Sequence, residues 1–228
     1  MIMKPKVLVA CEESQAITKE FRKLGIEAYS CDLIDSSGGH PEWHIQGDAI
    51  VEAYSKKYDL MIAHPPCTYL SVAGARWLYN KDGSKNTERW NNQYKALAFV
   101  QKLMDAPIEH IAIENPISTI SSNIRKPDQI IQPYFFGDEA SKSTCLWLKN
   151  LPLITPTNIV GKGEFVEWTT PNGVTKRQTK WYYDTLSSAR DNAERSKLRS
   201  KTFPGMANAI AQQWTEFLTN KYNNDTNN

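Results

Sequence analysis

Cysteine is scarce in this chain: four in 228 residues, none of them in a Cys-x-x-Cys pair. Histidine is equally scarce, with no His cluster at zinc spacing, so the pattern argues against a metal site. No apolar run approaches the ~20 residues of a membrane helix. Val7–Cys11, behind a basic start, is too short for the core of a secretory signal. A surplus of one charge is also missing, since 27 basic residues face 25 acidic ones for a formal +2. Overall charge therefore announces no nucleic-acid partner, and any such surface has to be local. These absences predict an intracellular, cytoplasmic protein with reduced thiols, no membrane association and no evident obligate protein partner.

What is present is ordinary for a folded domain. Hydrophobic residues make up 40% of the chain, too many for disorder. Val7–Ala10 reads as a buried strand, Ala16–Leu24 as a helix stopped by Gly25, and Ile26–Ser30 as a second strand ending at Cys31-Asp32. Ser36–Trp43 reads as a loop, Asp48–Lys56 as a short helix and Leu60–Ala63 as a strand. Thr87–Met104 reads as a long helix with Trp90, Tyr94, Leu97, Phe99, Val100 and Leu103 as its apolar face. His110–Ile113 is another strand. Alternation of strand and helix predicts an α/β, doubly wound sheet.

After Pro116 the pattern changes. Thr144–Leu148 reads as a strand, and Val160–Tyr183 as a hairpin about the turn Pro171-Asn172-Gly173. Asp191–Ser200 reads as a charged helix, Gly205–Leu218 as an amphipathic one, and Asn220–Asn228 as a frayed tail. Three regions follow: a catalytic core over 1–150, a small basic and aromatic segment over 151–202, and a C-terminal helix over 203–220 that returns to the core.

Ligands of doubly wound sheets bind outside the carboxyl ends of the strands. Glu12, Asp32, Cys67 and Glu114 all fall there in this reading. Cys67 follows Pro65-Pro66, which holds it on stiff backbone, and a thiolate there is suited to attack an electrophilic carbon. Glu114 ends a strand, and burial is expected to keep its carboxyl protonated for donation to a ring nitrogen. A sulfur nucleophile with an acid suits methylation at C5 of cytosine. Addition to C6 with an acid at N3 makes C5 nucleophilic enough to take a methyl group from a sulfonium.

These motifs resemble those of the DNA cytosine-C5 methyltransferases. His64-Pro65-Pro66-Cys67 resembles the family's Pro-Cys loop, Ile113-Glu114-Asn115-Pro116 its Glu-Asn-Val motif and Gly47-Asp48-Ala49-Ile50 its Gly-Asp-Ile segment. Asp32 matches the acidic position for the cofactor ribose, Val7–Gln15 occupies the first cofactor loop, and Phe203–Ala211 resembles the C-terminal helix motif. Lys142-Ser143-Thr144 falls where the family has Arg-x-Arg. The resemblance implies a Rossmann-like methyltransferase fold with a small irregular insertion, and S-adenosylmethionine as cofactor. Cys67, Glu114 and Lys142 would be catalytic. Cys11, Glu12, Ser14, Asp32, Leu33, Asp48, Ala49, Pro65 and Asn208 would line the cofactor site, and Pro66, Asn115 and Thr144 the substrate site. Two departures stand out. The Gly-rich first loop is replaced by Cys11-Glu12-Glu13-Ser14-Gln15, and Leu148–Phe203 is short for a target recognition domain. The chain thus resembles a reduced, phage-type member.

The expected substrate is DNA, with a base turned out of its stack. Lys162, Lys176, Arg177, Lys180, Arg190, Arg195 and Arg199, interleaved with Trp168, Trp181, Tyr182 and Tyr183, are the candidate phosphate and base contacts. Ser71–Lys85 reads as a mobile loop that closes over the base. Two alternatives stay open: a free cytosine nucleotide as substrate, and a catalytically silent module that binds cofactor or nucleic acid.

Overall fold

The apolar runs assemble into one sheet. The computed structural model describes residues 5–191, 194 and 198–225. Its seven strands are β1 (Lys6–Ala10), β2 (Glu27–Asp32), β3 (His44–Gln46), β4 (Leu60–Ala63), β5 (His110–Pro116), β6 (Gln129–Ile131) and β7 (Thr144–Lys149). They lie in the order β3-β2-β1-β4-β5-β7-β6. Pairing is parallel from β3 to β5, while β7 runs antiparallel to both β5 and β6. This mostly parallel, helix-flanked sheet is compatible with a Rossmann-like α/β fold.

Side-chain alternation along the strands makes two cores. Val7, Val9, Leu60, Ile62 and Ala112 pack against α1 (Ala16–Lys23) and the last helix, here α6 (Pro204–Asp225). Leu8, Ala10, Met61, Ala63, Ile111 and Ile113 pack against α2 (Ala49–Ala53) and α3 (Thr87–Met104). Phe21 of α1 and Trp214 of α6 are fully buried. Each such side chain stabilises the fold by roughly 1.5–3 kcal/mol. Asp48 caps α2 by accepting from the Ile50 N–H, and Asn86 caps α3 through the Arg89 N–H. β1 connects to β2 across one face and β4 lies on its other side, so the order of the sheet reverses between β1 and β4.

Several expectations change. A strand (β3), the short α4 (Ile120–Asn123) and β6 arise where no element was expected. On α3 it is Gln93 that is buried and Tyr94 that is exposed, because the Gln93 amide donates to the Tyr69 carbonyl. The 160–183 segment is only partly a hairpin. β8 (Phe165–Thr169) and β9 (Thr175–Thr179) pair about Gly173, whose φ of 74° suits the turn. From residue 180 the chain is helical as α5 (Lys180–Ser188). The polar tail is not frayed through 225, since α6 runs to Asp225. The expected helix over 191–200 and the candidate Arg195 fall wholly or partly outside the described residues. Among the described residues, no helix is long and apolar enough to cross a membrane.

Candidate active site

The loop that carries Cys67 leaves β4 and is clamped on three sides. The His64 N–H still donates to the Ala10 carbonyl, 2.9 Å, extending the β1–β4 ladder by one residue. The Asn115 side-chain amide donates to the Pro65 carbonyl, 2.8 Å. From α3, Arg89 donates to the Thr68 carbonyl at 3.0 Å and Gln93 to the Tyr69 carbonyl at 3.1 Å. The Leu70 and Ser71 N–H groups close a turn on the Cys67 carbonyl. Pro65 is buried beneath, while Pro66 and Cys67 are exposed. A side chain on so fixed a backbone loses little entropy on engaging a ligand.

β4 and β5 pair with Ala63 beside Ile113, so His64 and Glu114 are the next neighbours at the carboxyl edge. His64 Nδ1 lies 3.1 Å from Glu114 Oε2, and both side chains are largely covered. Burial alone would raise the Glu114 carboxyl, but the hydrogen bond and positive charge of His64, with Lys142 beyond, hold it below the usual carboxylate range. Burial likewise opposes the His64 imidazolium, and Glu114 with Glu12 overcomes it, so its pKa is raised. The expectation of a protonated Glu114 is therefore corrected: with His64 beside it, the carboxyl rests ionised. His64 was missed as a site residue. A polar residue one step past the apolar run of each of two neighbouring strands was the available signal.

Cys67 is exposed at this edge. Surrounding protein and then the charge of Glu114 push its thiol up, while Arg199 and Lys142 pull it down. Lys142 stands just before β7, and its ammonium donates to the Lys201 carbonyl, 3.1 Å. Burial draws that ammonium below the usual lysine range. Thr144 is buried with its hydroxyl donated to the Lys142 carbonyl. His64, Glu114, Lys142 and Thr144 share a recess with Ile17, Thr202, Phe203, Met206 and Ile210. Its cavity is about 10 Å³, room for one water rather than a pyrimidine.

The residues expected to hold a cofactor divide. Asp32 ends β2 half-buried, and one carboxylate oxygen accepts from the Ile34 N–H at 3.3 Å. Leu33 beside it is 72% exposed. Cys11 turns the chain after β1 with φ 59°, and Gln15 has φ 56°, so the left-handed conformations that glycines usually provide occur here without glycine. Burial and then Asp32 push the Cys11 thiol up to about 12. Asp32, Leu33 and the Cys11 turn fit a nucleoside: a carboxylate for a ribose diol, an apolar side chain for a base and a close backbone approach. Glu12 does something else. Its buried carboxylate accepts from the Ile17 N–H (2.7 Å), the Thr18 N–H (3.3 Å) and the Thr18 hydroxyl (2.7 Å), sealing the start of α1. Ser14 accepts from the Ala16 N–H, 3.4 Å. Asp48 is committed to its cap, and Ala49 is buried. Asn208 is not brought to the edge: its amide donates to Glu20, 3.2 Å, between α6 and α1.

The basic segment carries its own counterions. Arg177 on β9 pairs with Glu167 at 3.4 Å, Arg190 with Glu194 at 3.0 Å and Lys180 with Asp184 at 2.8 Å. Lys176 is exposed on the same hairpin. Trp181 packs on Phe203, ring centroids 5.0 Å apart, which ties α5 to the wall of the recess. The Ser71–Lys85 segment is folded: helical turns cover Val72–Leu78, Tyr79 bridges to Lys85, and Ser71 bridges to Ser118. Trp77 is exposed on it beneath the Arg76 guanidinium, 4.5 Å away. Comparison with known protein families and with curated proteins finds no family model and no curated sequence that matches this chain.

Proposed function

We propose that this protein transfers a methyl group to C5 of cytosine, with Cys67 as the nucleophile and Glu114 as the group that holds the ring. The observation that carries the reading is the convergence of an exposed thiol and a covered carboxylate at the ends of two paired strands, β4 and β5. The switch point between β1 and β4 supports it, since open α/β sheets bind ligands there. Asp32, Leu33 and the Cys11 turn are the residues that would hold S-adenosylmethionine, which when bound supplies an electrophilic methyl group. Cys67 Sγ adds to C6, the C5–C6 π pair shifts toward C4, and N3 takes up a proton. C5 then accepts the methyl group. Loss of the C5 proton and expulsion of the sulfur restore the aromatic ring. Lys142, whose charge acts on Glu114, would steady the ring carbonyl.

DNA is the proposed carrier of the base. Exposed Trp77 and Arg76 next to the nucleophile loop, and Trp168 on the hairpin, offer stacking surfaces for a displaced strand. The internal pairing of Arg177, Lys180 and Arg190 favours the second reading, a free cytosine nucleotide, because paired cations release fewer counterions to a polyanion. Incubation with methyl-labelled S-adenosylmethionine and either oligonucleotide or cytidine monophosphate, followed by nucleoside analysis, tests both. Labelled 5-methylcytosine from one carrier names the substrate. Label from neither, or label that survives Cys67→Ala, refutes the proposal.

A further inference from the structure

Addition of sulfur to C6 needs a proton at N3, yet Glu114 rests ionised. We infer that His64 is the positioning residue of this centre and that the proton it shares with Glu114 is the one delivered to the ring nitrogen, an inference that rests on the cytosine reading above. The geometry is specific. Nδ1 of His64 meets Glu114 Oε2 at 3.1 Å, with the two side chains 14% and 19% exposed. Nε2 is buried without a hydrogen-bond partner among the described residues, so Glu114 is the imidazole's one polar anchor.

The charges around the pair come from four directions. Glu12 follows β1, Lys142 precedes β7, Cys67 lies on the same loop, and Arg199 acts on Cys67 and Lys142. Ile17, Phe203, Met206 and Ile210 make the remaining wall apolar. Burial favours the neutral forms of both partners, and their contact favours the ionised ones. The two therefore titrate as a unit that stores one proton.

The step balances. The Cys67 thiol loses its proton to solvent, the resulting thiolate forms the Sγ–C6 bond, the C5–C6 π pair moves to C4–C5, and the C4–N3 π pair takes the proton at N3. That proton leaves His64 Nδ1, is taken up by Glu114 and is handed on. The pair becomes neutral imidazole beside carboxylate, and the ring adduct is neutral. On release the Sγ–C6 electron pair returns to sulfur and the N3 proton returns to the pair.

The test uses the full chain, S-adenosylmethionine and oligonucleotide or nucleotide carrying 5-fluorocytosine, which traps the Cys67 adduct. His64→Asn keeps an N–H donor near Glu114 but has no proton to give. It is expected to stay folded at the assay temperature, with a lower melting temperature at mildly acidic pH, yet to form adduct ~100-fold more slowly at pH 7.5. The deficit should shrink at pH 5.5, because in the variant the His64 charge is gone and burial raises the Glu114 carboxyl toward protonation by solvent. Added imidazole should speed the His64→Ala variant. Wild-type rates in His64→Asn, or an equal loss at every pH, would overturn the role of His64 while leaving the methyltransfer reading intact. No adduct from the wild-type protein on either carrier would overturn both.

Discussion

Replacing Glu12 with alanine should lower folding stability by about 3 kcal/mol. Its carboxylate is 5% exposed and accepts from two backbone N–H groups and one hydroxyl in the first turn of α1. A hydrogen bond to a charged acceptor contributes roughly 1.5–3 kcal/mol. The helix dipole adds roughly 0.3–1 kcal/mol. The three bonds share one carboxylate and do not add fully, which sets the total near ~3 kcal/mol. Glu12→Gln keeps one acceptor oxygen and loses the charge, for about half that loss. At ~2–4 °C per kcal/mol for a chain of this size, the alanine variant should melt ~6–12 °C lower. Urea titration reads the change as a lower midpoint at constant slope. A loss under ~1 kcal/mol together with weakened S-adenosylmethionine binding would mean that Glu12 serves the crevice rather than the helix.

Other consequences are equally direct. Iodoacetamide at pH 8 should label Cys67 first, because Cys31 and Cys145 are buried and Cys11 is half-buried, and burial pushes the Cys31, Cys145 and Cys11 thiols up to about 12, about 11 and about 12. Glu114→Gln should speed that labelling by removing the charge that holds the Cys67 proton, as peptide mass mapping would show. The stability difference between wild type and His64→Asn should depend on pH. Glu114, lowered on folding, contributes above roughly pH 4.3, and His64, raised on folding, contributes below roughly pH 6.5 and fades as pH climbs through its folded value. The gap should thus be widest between roughly pH 4.3 and 6.5, and a flat gap from pH 4 to 9 would contradict the pairing. Gly205→Ala should fail to hold α6 in place, since a Cβ there would overlap the Phe136 carbonyl and press within 2.8 Å of Asp138, a clash that thermal melting would report.

The central strands were legible because Val7–Ala10, Leu60–Ala63 and His110–Ile113 are short apolar runs whose burial leaves no other use for them. β3 and β6 have three residues each and take their conformation from the strand beside them, which no local pattern encodes. Cys67 and Glu114 were legible as polar residues at strand ends. The ionised state of Glu114 was not, because it depends on the β4–β5 register that sets His64 alongside. Glu12 was read as a cofactor contact, and its bonds to α1 were not legible for a similar reason: the left-handed turn at Cys11 and Gln15 folds its carboxylate back onto α1. The missing glycines had hidden that turn. Arg199 was picked out as a phosphate contact, and only the return of the chain over the recess sets its charge against Cys67.

The most direct measurement is to mix the protein with S-adenosylmethionine and a 5-fluorocytosine oligonucleotide or nucleotide, denature the mixture, and map the modified peptide by mass. The account predicts a one-to-one covalent complex through Cys67 that needs the methyl donor to become permanent. A complex through another residue, one that persists in Cys67→Ser, or none on either carrier, would contradict it.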